Sequence, residues 1–256
     1  MKLSAVIITL NEEKNLDRCL KSLSGIADEI VVVDSFSIDR TADIAHNHGA
    51  VFIRNKFEGH IQQKNFALAQ AQFDWILSLD ADEALDDILR ISISEVKRNG
   101  IYPAYTMNRL TNYCGKWIRH CGWYPDTKLR LVRKQMAQWT GVNPHDKLEL
   151  IKSENVGHLK GDILHYSYYS KQDHYTQIEF FGKIAAREMY QRGIKVSRWL
   201  TFIKVLAQFI KSFFIKAGFM DGRAGWHISI RSAFATYRKY ELLRKEWNSR
   251  DYNARS

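Results

Sequence analysis

Short apolar runs alternate with segments of helical spacing throughout residues 1–99. Leu3–Leu10 predicts a buried strand, and Leu16, Cys19, Leu20 and Leu23 then recur as one face of a helix. Glu29–Val33 predicts a second strand ending at Asp34, Thr41–His48 a helix, and Ala50–Ile53 a third strand. Ile61–Ala71 is helical again, and Trp75–Leu79 is a fourth strand that stops at Asp80. Strands this apolar, each joined to the next by a helix, predict a mostly parallel sheet covered on both faces. Ligands gather at the carboxyl ends of such strands. The polar residues there are Asn11, Glu12, Asp34, Ser35, Asp80 and Asp82.

After Asn99-Gly100 the pattern breaks into shorter extended pieces: Ala104–Leu110, Lys128–Arg133, Leu148–Ile151 and Ile163–Tyr166. These predict irregular, antiparallel structure closing over the ligand edge of the sheet. From Lys171 onward the chain reads as helical. The expected organisation is an α/β domain over residues 1–170, in halves 1–99 and 100–170, followed by a helical region over 171–256.

Composition narrows the class. With 256 residues, 45% of them hydrophobic and only 3 prolines, the chain can bury a substantial core, which excludes disordered and collagenous classes. Cys19, Cys114 and Cys121 are too scattered for a disulfide scaffold and suit a reducing compartment. The amino-terminal apolar run meets Glu12 without a small-residue cleavage site, so it predicts a first strand, not a signal peptide. The net charge is +10. Residues 183–256 hold 16 Lys/Arg and 5 Asp/Glu, whereas residues 1–182 hold 22 and 23, so the excess is entirely carboxy-terminal. A basic appendage on a near-neutral domain points to an anionic partner, a membrane surface or nucleic acid.

Neither common glycine-rich phosphate loop is present: there is no G-x-x-x-x-G-K-[ST], and the first strand runs into Thr9-Leu10-Asn11-Glu12. A diphosphate can instead be held through a divalent cation. Asp80-Ala81-Asp82-Glu83, leaving an apolar strand, offers carboxylates at i and i+2 for a hard cation that takes phosphate oxygens as its other ligands. The same D-x-D pattern also serves as a turn, and Asp86-Asp87 can cap the next helix.

Four passages together carry a family resemblance. Ser4–Glu12, Val31-Val32-Val33-Asp34-Ser35, Gln63-Lys64-Asn65 and Asp74–Glu83, in this order, resemble the inverting glycosyltransferases of family 2 with the GT-A fold. Trp123–Arg133, Leu164-His165-Tyr166-Ser167-Tyr168 and Gly218–Gly222 resemble the bacterial lipopolysaccharide core enzymes that add glucose to inner-core heptose. The resemblance implies a UDP-sugar donor contacted by Thr9, Asn11, Glu12, Asp34, Lys64 and Asp80. Asp34 would accept from the uracil imide, although Asp-Ser before a turn also reads as a helix cap; Lys64 would neutralise the diphosphate, or else be an exposed helical lysine. Mg²⁺ or Mn²⁺ would sit on Asp82, with Asp80 and His145 as further ligands. Asp146 would be the base, in a place where the family often carries His-Glu. Arg130, Arg133 and His145 would contact acceptor or phosphate, the alternative for the arginines being a solvated edge strand. Cys114 and Cys121 lack zinc spacing and read as core or loop thiols.

On a helical wheel, Ser197–Lys216 puts Trp199, Leu200, Phe202, Ile203, Leu206, Phe209, Ile210, Phe213 and Phe214 on one half. Lys204 and Lys211 fall on the other half, and together with Lys216 they disfavour a membrane span. The pattern suits a helix lying in a membrane interface, packed on the domain, or at a dimer seam. Trp226–Trp247 is a second amphipathic segment expected to pair with it. The expected protein is peripheral on the cytoplasmic face of the inner membrane, acts on a lipid A-core acceptor and binds no nucleic acid. A nucleotidyltransferase and a non-enzymatic membrane adaptor are the rivals.

Overall fold

Strand β1 (Leu3–Thr9) shows why the first strands are apolar at nearly every position. Leu3, Ala5 and Ile7 pack into one buried layer, and Val6 packs into the other. A parallel strand covered on both faces leaves no room for polar alternation. The computed structural model describes residues 1–142 and 145–253, with side chains to residue 248 except that of His145.

The chain continues through α1 (Leu16–Leu23), β2 (Glu29–Asp34), α2 (Thr41–Asn47), β3 (Val51–Arg54), α3 (His60–Gln70) and β4 (Trp75–Asp80). Strand β1 pairs in parallel with β2 and β4, and β2 with β3. Helix α1 buries Leu16, Cys19, Leu20 and Leu23 on one face of the sheet; α3 buries Ala67 and Leu68 on the other. After β5 (Glu83–Leu85) comes α4 (Asp87–Asn99), whose cap is Asp86, accepting from Leu89 N–H at 2.7 Å.

The remainder of the sheet is antiparallel. It comprises β6 (Ala104–Tyr113), β7 (Lys116–Ile118), β8 (Asp126–Arg133) and, beyond the hairpin β9 (Ala137–Val142) and β10 (His145–Leu150), the long β11 (Val156–Tyr168). The strand order is β3-β2-β1-β4-β8-β6-β11-β5, with β7 paired to β6. The parallel half follows the predicted strands closely. In the antiparallel half β6 and β11 run well past their predicted ends. Strands β5, β7 and β9 were not predicted: β5 and β7 have three residues each and β9 is partly exposed, so they take their stability from partners rather than from an apolar run.

The chain forms two units, residues 1–110 with 125–166 and residues 111–124 with 167–256. This division differs from the one expected at residue 170 in that Thr111–Tyr124 groups with the helices. Asp221, buried, accepts from the His120 N–H at 2.9 Å and lies 3.1 Å from His120 Nδ1. Gly225 permits this packing, since a Cβ there would lie 1.8 Å from the Gly218 carbonyl. The helices of this unit are α5 (Lys171–Gln191), capped by Ser170 and Asp173, α6 (Arg198–Ile210) and α7 (Gly222–Asn253). Helix α7 packs against both others, as the paired amphipathic segments suggested. A wider π-type turn, Lys211–Ile215, ends the segment predicted as one helix. Among the described residues no helix is long and apolar enough to cross a membrane.

His174 is buried among Tyr113, Trp123 and Tyr168. Burial and the nearby Arg231 charge push its pKa down to about 4. The unfolded chain takes up this proton near pH 6.5 and the folded chain does not. Stability should thus be complete above about pH 6.5 and fall as the pH is lowered toward 4. Thermal unfolding of the His174→Phe variant across that window should show a weaker pH dependence than the unmodified chain.

Candidate active site

Register alone assembles the rim. Thr9 pairs with Asp34, and its neighbour Ile8 pairs with Asp80, so three parallel strands deliver their last polar residues side by side. Thr9 donates to Asp34 Oδ1 at 3.1 Å. Asp34 is fully buried and also accepts from the Ser37 N–H at 2.9 Å and from the Ser37 hydroxyl. Its carboxylate holds the turn after β2 but caps no helix, since the residue capping α2 is Arg40. Asn11, exposed and at φ 55°, accepts from the Ile38 N–H at 3.0 Å. Glu12 accepts from Asn15 Nδ2 at 2.8 Å. Burial, and the charges of Asp82, Asp39 and Asp80 around it, raise its pKa above the usual carboxylate value.

The densest chemistry lies at the end of β4. Lys64, on α3, is buried and sits 2.8 Å from Asp80 Oδ1 and 2.8 Å from Asp146 Oδ2. It is no exposed helical lysine. Asp80 Oδ2 receives Arg130 Nη2 at 3.2 Å, and the same nitrogen reaches Glu83 Oε1 at 2.9 Å. Glu83 Oε2 accepts from the Asp80 N–H at 3.0 Å, which closes the turn. Burial pushes the Asp80 carboxyl up, but the Lys64 and Arg130 charges outweigh it and hold the pKa well below the ordinary range. Lys64 and Arg130 both lie over the Trp139 ring, at 4.2 and 5.3 Å from its centroid. Lys64, Asp80, Arg130, Trp139 and Asp146 line a cavity of about 510 Å³.

Arg133 does not join them. Strand β8 runs antiparallel to β4, so Arg133 pairs with Trp75 at the opposite end and lies 3.8 Å from Asp74. Three residues along a strand span about 10 Å and reverse the face, so Arg130 and Arg133 cannot serve one site. The side chain of His145 lies outside the described residues, as do Asn143 and Pro144. Three participants were not singled out from the sequence. Glu83 is fully buried, Arg109 lies 2.8 Å from Asp126 and 3.4 Å from Glu83, and His165 Nε2 lies 3.1 Å from Asp82 Oδ2. The available signal was an arginine inside the apolar strand β6 and a third acid directly after D-x-D.

A sequence model described as Glycosyl transferase family 2 matches residues 4–116. An uncharacterized glycosyltransferase of Rickettsia typhi is 31% identical over 254 residues, covering 95% of this chain and 87% of that protein. The chain belongs to glycosyltransferase family 2. The lipopolysaccharide core biosynthesis glycosyltransferase LpsC of Rhizobium meliloti is 26% identical over 262 residues, 94% of each chain. The crystal structure of S. aureus TarS 1-349 aligns with a TM-score of 0.46 at 16% identity, over 96% of this chain and 92% of that one.

The protein is thus an enzyme of the transferase class, and its mixed sheet with flanking helices is the GT-A fold. The nucleotidyltransferase and adaptor alternatives fall away. Among the described residues no three His, Cys, Asp or Glu side chains form a metal cage. A hard cation that keeps waters and takes phosphate oxygens needs only one or two protein ligands. In this glycosyltransferase Asp82, 3.1 Å from His165, could supply one such oxygen ligand. Both oxygens of Asp80 are instead held by Lys64 and Arg130.

Replacing Lys64 by Met leaves Asp146 without its cation and Asp80 with Arg130 alone. Breaking a buried pair this way should cost roughly 3 kcal/mol. Denaturant titration should show that loss, and Lys64→Arg should recover part of it.

Proposed function

We propose that this glycosyltransferase moves a hexose, glucose, from a UDP-sugar to the inner-core heptose of a lipid A-anchored acceptor at the cytoplasmic face of the inner membrane. One observation carries the reading. A single buried ammonium, Lys64, ties the rim carboxylate Asp80 to Asp146, 2.8 Å from each, beside a cavity of about 510 Å³. A donor end and a base are thereby held at a fixed spacing where a sugar ring can enter. The Rhizobium meliloti relative, matching over 94% of each chain, supports the lipopolysaccharide core as the acceptor.

In this mechanism the nucleoside enters between the ends of β1 and β2, where Asn11 and Glu12 stand and the buried Thr9–Asp34 pair sets the floor. Asp82, with His165 3.1 Å away, would hold Mg²⁺ or Mn²⁺, which would supply Lewis-acid stabilisation of the leaving UDP. Asp146 accepts the proton of the acceptor hydroxyl. Its carboxylate suffices as base because bond cleavage runs ahead of proton removal in an oxocarbenium-like transition state. Attack from the face opposite the leaving group inverts the anomeric centre and yields a β-linkage.

Transfer from a panel of UDP-sugars to purified core-truncated lipopolysaccharide, with and without EDTA, tests donor, acceptor and metal together. Asp82→Ala should abolish turnover without changing the circular dichroism, and activity that persists in that variant under full chelation removes the metal. Asp146→Asn should lower kcat by about 10²–10⁴-fold while UDP affinity by calorimetry stays unchanged. Unaltered turnover would reassign the base.

A further inference from the structure

Helix α6 is turned inside out. The residues it buries or half-buries are Thr201, Val205, Gln208 and Phe209, which packs on Trp226, while Trp199 is 71% exposed, Phe202 59% and Leu206 50%. The apolar line continues past the helix through Phe214, Ile215 and Met220, all exposed. Thr201 on the inner side accepts from Arg244 Nη1 at 2.9 Å. A helix that turns a threonine and a glutamine inward and leaves Trp199, Phe202 and Leu206 exposed calls for an apolar medium outside.

Charge says which medium. Residues 192–220 contain six Lys/Arg and no Asp or Glu. A second copy laid on this face would set two such strips against each other at a repulsive cost, whereas an anionic bilayer complements both the cations and the aromatics. Between α6 and α7 lies a cavity of about 470 Å³ lined by Arg198, Thr201, Phe202, Val205, Tyr237 and Arg244. The one carboxylate on its wall, Glu241, is 2.7 Å from Arg238 and 3.1 Å from Lys245, which hold its charge. Among the described residues neither Arg198 nor Arg244 forms an ion pair, so both remain to meet an anion beside the exposed Phe202.

We propose that the outer face of α6 docks on an anionic phospholipid bilayer, and that the α6–α7 cavity receives the phosphate of one lipid headgroup. The aromatics enter the headgroup–acyl boundary, and Lys204, Lys211 and Lys216 lie toward the headgroups. The inference deepens the membrane location of the proposed reaction but stands on residues that take no part in the transfer.

Co-sedimentation with vesicles of phosphatidylethanolamine and phosphatidylglycerol, against vesicles of phosphatidylcholine alone, tests it. The full chain should bind the anionic vesicles and be released by salt. Trp199→Ala with Phe202→Ala should weaken binding roughly tenfold or more at unchanged circular dichroism. Arg198→Gln, at an exposed position that cannot unfold the unit, should reduce the preference for anionic lipid while leaving residual apolar binding. Asp82→Ala should bind as the unmodified chain does, which separates docking from chemistry. Equal binding to both vesicle types overturns the proposal. So does a dimer, seen by light scattering, that the Trp199→Ala and Phe202→Ala pair dissolves, or stabilisation by inorganic phosphate with no vesicle binding.

Discussion

The candidate site depends on one buried ammonium. Lys64 leaves water to lie between Asp80 and Asp146 and over Trp139, and no one of these groups is stable in that place without the others. A lysine stripped of solvent needs negative partners, and a carboxylate partly withdrawn from water at the mouth of a strand is stabilised by a cation. The contact therefore ties α3, β4 and the β9–β10 hairpin into one geometry. Arg130, Glu83 and Arg109 extend the same logic, each charge answered by the next. Such a network contributes little net stability compared with an apolar core. It sets the position of carboxylates to within hydrogen-bond tolerance, which is what sugar transfer demands.

The two acids of Asp80-x-Asp82 consequently differ in role. Asp80 is taken up by cations of the chain itself, while Asp82 faces His165 and shares a negative field with Glu12. The two carboxylates of this turn thus have different surroundings: Asp80 is neutralised by Lys64 and Arg130, whereas Asp82 lies beside His165. The division follows from the turn: Glu83 bonds back to the Asp80 backbone and brings Arg130 with it.

The second unit uses different physics. Its core is held by aromatic packing around His174 and by the Asp221 contacts to the backbone of residues 119–120, not by ion pairs at a strand end. The surplus positive charge of the chain is concentrated here, on a helix whose aromatics point outward. The candidate site and the basic surface are thus carried by separate stretches of sequence.

What the sequence determined by itself was local and periodic. The apolar runs of β1, β2 and β4 and the spacing of Leu16, Cys19, Leu20 and Leu23 specified a parallel, two-faced sheet, because burial on both sides forces that composition. The same runs stopped at Asp34 and Asp80, which marks the rim of the sheet. Linked motifs then named the family. Tertiary structure decided everything that depends on which partner stands opposite. Lys64 could not be told from a surface lysine, because its burial is conferred by Trp139 and Asp146, distant in the chain. His165 came to Asp82 only through the course of the long β11, and Arg130 parted from Arg133 only through the antiparallel register with β4. Helix α6 had an apolar half on any wheel, but whether that half faced the protein or the outside was settled by which side met α7. A residue's own side chain sets which contacts it can make; the contacts it does make are set by chain segments whose arrival no local pattern encodes.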